Sequence, residues 1–265
     1  MKGKWWCLTA LSAFLAVALA GCAKKQETTE TSAPAGSQNA IPVDAATAGS
    51  IFGTVQLDGA PPKMKIINMA AEPACAKLHS TPATTQEALV GKSGALENVV
   101  VYLTGDFSRY KFDVPQTPAT ITQKGCMYDP HVLVVEADQP LQVINADPVT
   151  HNIHPIPKDN REWNESQPPG ASPIDRSFAH EEIAIPVKCN IHPWMKAYIA
   201  VFNHPYFSVT GADGSFDLKN VPPGTYTLIA WHELYGMNQQ TVTVGPKESK
   251  TLHIDFHAAD AARGS

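Results

Sequence analysis

From Ser50 onward the chain alternates short apolar runs with polar breaks. The runs read "IFGTVQL", "NVVVYLT", "HVLVVEA", "LQVINA", "EIAIPVKC", "KAYIAVF", "GSFDL", "TYTLIAW", "QQTVTVG" and "TLHIDF". Most are rich in Val, Ile, Thr, Tyr and Phe and bounded by Gly, Pro, Asp or Asn, the composition of strands ended by turns. Asp213-Gly214 predicts a tight turn into one strand, and "VPPGTYTL" a proline-stiffened turn into the next. Helical spacing is nearly absent, and "EPACAKLH" predicts one short helix at most. With 22 prolines in the chain, the pattern predicts an all-β protein built as sandwiches or barrels.

The stretch before these strands has a different character. "MKGKWWCLTALSAFLAVALAGC" opens on two lysines, continues apolar and ends on small residues, which is the layout of an export signal. Its ending, "LAGC", resembles the lipobox of bacterial lipoproteins. That resemblance implies cleavage before Cys22, a lipid on Cys22, and a place on the periplasmic or outer-surface side of a bacterial membrane. The alternative is an ordinary signal with an incidental cysteine. Several acyl chains, each contributing about 0.8 kcal/mol per buried CH₂, would make a lasting anchor. No later apolar run approaches the roughly 20 residues needed to span a bilayer. Residues 23–49 carry few large apolar side chains and are expected to form a disordered tether.

Composition bounds the rest. With 265 residues, 43% of them hydrophobic, the chain can bury one large core or two small ones. Only 17% are charged, the net charge is -5 and the body has no Lys/Arg run, so no nucleic-acid partner is expected. "GSIFGTVQLDGAPP" with "NVVVYLT", and "VTGADGSFDLKNVPPGTYTLIAWHE" with "TVTVGPKESKTLHIDF", resemble the opening and close of the carboxypeptidase regulatory-like domain, a transthyretin-like β-sandwich. The resemblance implies a discontinuous sandwich over 50–112 plus 205–257, with 113–204 inserted in it or sharing its edge, and 258–265 as a tail. It implies no peptidase, because that domain is an accessory sandwich.

Candidate chemistry concentrates in the insert. "KCNIHPWM" spaces Cys189, His192 and Met195 as Cys-x2-His-x2-Met between two strand-like runs. A short loop between paired strands can fold three ligands onto one point. Thiolate and imidazole as short strong bonds, with a weak axial thioether, suit copper. Upstream, "INADPVTHNIHP" offers His151 directly after a strand. Taken singly, a cysteine or a methionine is usually a buried hydrophobe; the joint spacing is what points to a metal.

These residues resemble the cupredoxins (plastocyanin, pseudoazurin, amicyanin), with the short Cys-to-Met spacing of amicyanin. The resemblance implies a Greek-key sandwich over 113–204 holding one type 1 copper ion. His151, Cys189 and His192 would be its equatorial ligands and Met195 the axial one, with Glu165 as a possible replacement for Met195. Asn152 would hydrogen-bond across to the cysteine loop. Pro193 and Trp194 would surround an exposed edge of His192, where electrons enter and leave. "KDNREWNESQPPGASP" is either a flap that brings Trp163 and Glu165 to the site or a solvated loop.

Of five cysteines, Cys7 goes with the signal, Cys22 takes the lipid and Cys189 the metal. Cys75 and Cys126 remain, and an oxidising compartment favours a disulfide between them, tying the first sandwich to the insert. "CAKLH" and "CMYDPH" keep open a second metal site using His79 or His131. His154 falls on the opposite strand face from His151, and His131, His180, His204 and His232 are read as structural. Neither "CxxCH" nor "HExxH" occurs, since "WHELYG" and "AHEEIA" lack the second histidine. The expectation is a non-enzymatic, lipid-anchored type 1 copper protein that passes single electrons between redox protein partners. Two alternatives stay open: a copper carrier or sensor using the same ligands, and an adhesion or carbohydrate-binding sandwich with a degenerate copper loop.

Overall fold

The computed structural model describes residues 40–262; Cys7, Cys22 and the expected signal lie outside them. Strands β1 (Gly49–Asp58) and β2 (Val100–Thr104) come first, joined by a long connection that contains the single-turn helix α1 (Pro73–Ala76). Then follow β3 (Ala119–Lys124), β4 (Met127–Asp129), β5 (Val132–Glu136), β6 (Leu141–Asn145), β7 (His151–Pro155), β8 (Glu165–Gln167), β9 (Ile174–Arg176), β10 (Glu182–Lys188) and β11 (Lys196–Phe202). The last group is β12 (Phe207–Val209), β13 (Ser215–Val221), β14 (Gly224–His232), β15 (Gly236–Val244) and β16 (Ser249–His257).

The chain is all-β, and its strands form four sheets: β13-β1-β16, β12-β2-β14-β15, β5-β11-β10-β7-β8 and β4-β3-β6-β9. The first two use only strands from the outer parts of the chain, and the last two only β3 to β11. Inward residues of the first pair, among them Ile51, Val55, Leu103, Phe216, Leu228 and Ile254, make one core. Ile121, Val143, Ile153, Ile185, Val187 and Ile199 make another. A third layer joins the two sandwiches face to face through Val100, Tyr102, Val132, Ala200, Phe202 and Trp231. Among the described residues they share no sheet edge.

This third layer explains why some strands are apolar throughout while others alternate. In β2, Val101 and Leu103 face the first core while Val100 and Tyr102 face the joint. In β11, Ala197, Ile199 and Val201 face the second core while Tyr198, Ala200 and Phe202 face the joint. A strand covered on both sides needs apolar residues at every position, as "VVYL" and "AYIAVF" have. By contrast β13 and β16 have one solvated face and alternate, as "SFDL" and "HIDF" do.

Two details differ from the sequence reading. Order begins before Ser50: Ile41 bridges to Tyr110, and Asp44 accepts the amides of Thr47 and Ala48 in a turn. In addition, the connection between β1 and β2 does not stay with the first sandwich. Its buried residues Ile67, Met69 and Cys75 join the second core, because that core leaves an apolar flank that the connection covers. The Asp213-Gly214 turn is as its sequence suggests. Gly214 has φ +70°, and a Cβ there would lie 2.5 Å from the Val55 carbonyl oxygen, so only glycine fits without strain.

Polar contacts also cross the joint. His131 pairs through Nε2 with the carboxylate of Glu233, and its Nδ1 donates to the Lys196 carbonyl at 3.1 Å. His204 is buried among Phe107, Phe202 and Tyr206, and its Nδ1 accepts the Tyr206 amide at 3.2 Å.

Phe202 is fully buried and stacks on Phe207 at 4.9 Å. Phe202→Ala should therefore lower the unfolding free energy by about 3–5 kcal/mol, measurable by urea denaturation. Burial holds the His204 imidazolium at about 4, below the ordinary value of about 6.5. As pH falls the unfolded chain takes up that proton first, so the stabilisation is complete above about pH 6.5. It is lost progressively down to about pH 4, roughly 3 kcal/mol in all. His232, held at about 3 by burial and then by His131, acts in the same direction. Unfolding curves collected across this range should show the slope, and His204→Phe should make it shallower.

Candidate metal centre

The hairpin of β10 and β11 pairs Lys188 with Lys196, which leaves Cys189 to Met195 as the loop between them. Two backbone bonds close the loop on itself: the Cys189 amide donates to the Met195 carbonyl at 3.2 Å, and the Met195 amide to the His192 carbonyl at 3.0 Å. A third bond, from the His192 amide to Cys189 Sγ at 3.4 Å, points a donor at the sulfur. Next to this hairpin lies β7, with Lys188 opposite His154. His151, at the start of β7, is thereby brought to the loop.

His151, Cys189 and His192 each place a ligand atom within 4.8 Å of the others. His151 Nδ1 lies 3.1 Å from His192 Nδ1, which is 3.8 Å from Cys189 Sγ. The outer nitrogens have other neighbours. His151 Nε2 is 2.8 Å from Asp147 Oδ2, and His192 Nε2 is 3.6 Å from Cys75 Sγ. With protons on the Nε2 atoms facing those acceptors, both Nδ1 lone pairs converge beside the sulfur. Two imidazole lone pairs and a thiol aimed at one point fit a cation there. Burial, and then the neighbouring His151, holds the His192 imidazolium below its usual range, which favours the neutral ligand form. Met195 is fully buried in the same core.

The supporting residues tie the two ligand-bearing segments together. Asn152 Oδ1 accepts the Asn190 amide at 3.0 Å, one residue beyond Cys189. Its Nδ2 donates to Asn164 Oδ1 at 2.6 Å and to the Glu165 carbonyl at 2.9 Å. The Tyr128 hydroxyl donates to the carbonyls of Asn152 at 2.6 Å and Lys188 at 3.1 Å, so it bridges β7 and β10 next to both ligands. Burial, and then Cys189, pushes the Tyr128 hydroxyl well above its usual range, which keeps it a donor. Asp147 accepts the amides of Gly125 and Cys126, each at 2.7 Å, as well as His151 Nε2. Tyr128 and Asp147 have no marker in the sequence beyond the "NAD" turn, since their roles come from strands far apart in the chain.

Other expectations meet a different arrangement. His192 has no exposed edge: it is 2% exposed, because the Cys75 segment covers it. Cys75 and Cys126 are joined in a disulfide. Neither cysteine has its nearby histidine as a partner: His79 Nε2 donates to the Gly125 carbonyl at 2.7 Å, and His131 reaches Glu233. Pro193 is exposed and Trp194 half-buried. The Trp194 ring lies 5.2 Å from His192, and its Nε1 donates to the Cys126 carbonyl at 3.0 Å. Glu165 turns away to pair with Arg176. Its backbone belongs to β8, which is hydrogen-bonded to β7, so that part of the expected flap is sheet. Trp163 packs against Phe178 and under the Arg176 guanidinium. His154 lies on the other face of β7, between Asn190 and Glu162.

Comparison with known proteins gives partial likenesses. Residues 193–252 match the profile of polysaccharide lyase family 4, domain II. No curated protein sequence matches the chain. Among solved structures, a copper-containing nitrite reductase from Thermus scotoductus SA-01 is 20% identical, with 32% of this chain and 22% of that one covered and a TM-score of 0.30. This chain thus spans about a fifth of that protein's length. A purple cupredoxin from Nitrosopumilus maritimus is 21% identical over 31% of this chain and 98% of that one, with a TM-score of 0.27. A methionine-to-alanine mutant of amicyanin, in its Cu(I) form, is 17% identical over 32% of this chain and 81% of that one, with a TM-score of 0.28.

Asn152→Ala removes the acceptor of the Asn190 amide and two further bonds at once. It should cost about 1–3 kcal/mol of unfolding free energy, read from denaturant unfolding of the metal-free protein.

Proposed function

We propose that the second sandwich is a cupredoxin in which His151, Cys189 and His192, together with Met195, would hold one type 1 copper ion, and that the protein carries single electrons between redox protein partners. The observation that carries this reading is the convergence of two Nδ1 lone pairs and one cysteine sulfur at a single buried point. This donor set, with a thioether nearby, is selective for copper by softness and geometry. Bound copper would supply a one-electron couple between Cu(I) and Cu(II). The chain's own contribution is rigidity. Asn152 and Tyr128 fix β7 against the loop, the loop's backbone bonds fix its curvature, and Asp147 sets the His151 tautomer. Ligands that cannot relocate keep the geometry similar in both oxidation states, which speeds electron exchange.

Burial favours an electron carrier over a metal carrier. His151 and Met195 are fully buried, His192 is 2% and Cys189 3% exposed, so a chelator or an acceptor protein has no open path to the ion. An electron needs none. Trp194, half-buried against His192 and flanked by exposed Ile191 and Pro193, is the port we assign to it. The lipid on Cys22 would keep this exchange at a membrane surface.

Protein supplied with Cu(II) should develop an intense visible thiolate-to-copper band that bleaches on one-electron reduction and returns on oxidation. Cys189→Ser should abolish the band while leaving the fold, as seen by far-UV circular dichroism, in place. A colourless unsubstituted protein that excludes copper would refute the assignment.

A further inference from the structure

The inner ligand set is sealed, and what seals it is a disulfide. Cys75 and Cys126 are fully buried, and their sulfur atoms and a His192 ring nitrogen all lie within 4.8 Å of one another. Cys75 Sγ is the atom over His192 Nε2, at 3.6 Å. The two halves of this seal are held very differently. Cys126 sits in a turn whose amides are clamped by Asp147. Cys75 sits on α1, a single turn with no side-chain cap, and from Ala70 to Ser80 it is the sole buried residue. Beyond the disulfide, the bond from His79 to the Gly125 carbonyl is the side-chain tie of that stretch. Cutting the disulfide therefore frees the cover at little cost in apolar burial, a local opening far below the global unfolding energy.

We propose that the Cys75–Cys126 pair is the entrance of the metal: as a dithiol it forms, with the outer side of His192, a second site for a soft monovalent cation, Cu(I), and its closure seals the ion within. This rests on reading the inner set as a copper site. Opening requires a dithiol reductant, whose two thiols lose two electrons and two protons as its own disulfide forms; the Cys75–Cys126 bond breaks to two thiols. Binding Cu(I) then forms two metal–sulfur bonds and releases the thiol protons to water. Closing requires a disulfide oxidant. Exchange rebuilds the Cys75–Cys126 bond, and the oxidant takes two protons from water and leaves as two thiols. The rejoined sulfur atoms are neutral and poor ligands. His192 belongs to both sets: it would face the outer site with Nε2 free and its proton on Nδ1, and passing the ion inward moves that proton to Nε2 through water, which leaves Nδ1 and the inner set as the nearest home.

The test uses the full chain with Cys189→Ser, which disables the inner set. The oxidised and the dithiothreitol-reduced, desalted forms are loaded with Cu(I) and challenged with a chromophoric Cu(I) chelator, while titration confirms two additional thiols after reduction. The reduced form should keep one more equivalent of Cu(I) than the oxidised form. Adding Cys75→Ser and Cys126→Ser, or alkylating the reduced thiols, should abolish that difference. Equal retention before and after reduction, with the two thiols counted, overturns the proposal. The unsubstituted metal-free chain gives a second measurement: its reduced form should fill with copper faster than its oxidised form, and equal rates count against an entrance. Failure of the inner-site reading would show separately, as an oxidised, unsubstituted chain that binds no copper by either route.

Discussion

Strand β11 has no solvent face, and the rest of the molecule is arranged around that constraint. Its odd-numbered residues from Ala197 to Val201 fill the core of the second sandwich, and its even-numbered residues from Tyr198 to Phe202 fill the joint with the first. A strand gripped on both sides cannot slide by one residue, because a slip would exchange two sets of side chains shaped for different neighbours. The strand begins one residue after Met195. One end of the Cys189–Met195 loop is thus anchored in backbone packed on both faces, and the first sandwich supports the candidate site without touching it.

The other side of the centre is held by hydrogen bonds instead of packing. Asn152, Tyr128 and Asp147 are buried, where a polar group without a partner is costly. Asn152 bonds the loop, Asn164 and β8, Tyr128 bonds β7 and β10, and Asp147 bonds His151 and the turn at Cys126. Such groups act as spacers of fixed length, since a shift of a few tenths of an ångström would weaken several bonds together. Apolar packing on one side and a saturated polar frame on the other leave the ligands little freedom.

What could be read in the sequence follows from how local each feature is. The strands were legible because alternation and turn residues are written in consecutive positions. The closeness of Cys189 and His192 was legible because a hairpin loop keeps near neighbours near. His151 needed the pairing of β7 with β10, and only a family resemblance linked it to the loop in advance. The covered state of His192 was not legible at all. It depends on Cys75, which lies 117 positions away in the chain on a connection that strand patterning assigned to the other sandwich. The double-sided burial of β2 and β11 was present in "VVYL" and "AYIAVF" as unbroken apolar runs, but such runs do not name the second surface that covers them.

The pairing of β2 with β12 has a consequence for how such a molecule could arise. Val100 lies opposite Val209 and Tyr102 opposite Phe207, so the two points where the chain leaves and re-enters the first sandwich face each other at one end of an antiparallel ladder. Geometrically, that sandwich asks for no more than a hairpin turn there. The whole second sandwich occupies the place of a loop, and strands at a loop's base tolerate insertion because their own pairing is undisturbed. The architecture is modular in this sense: one sandwich stands between two strands of the other at a position where the outer sandwich's own backbone has no length requirement.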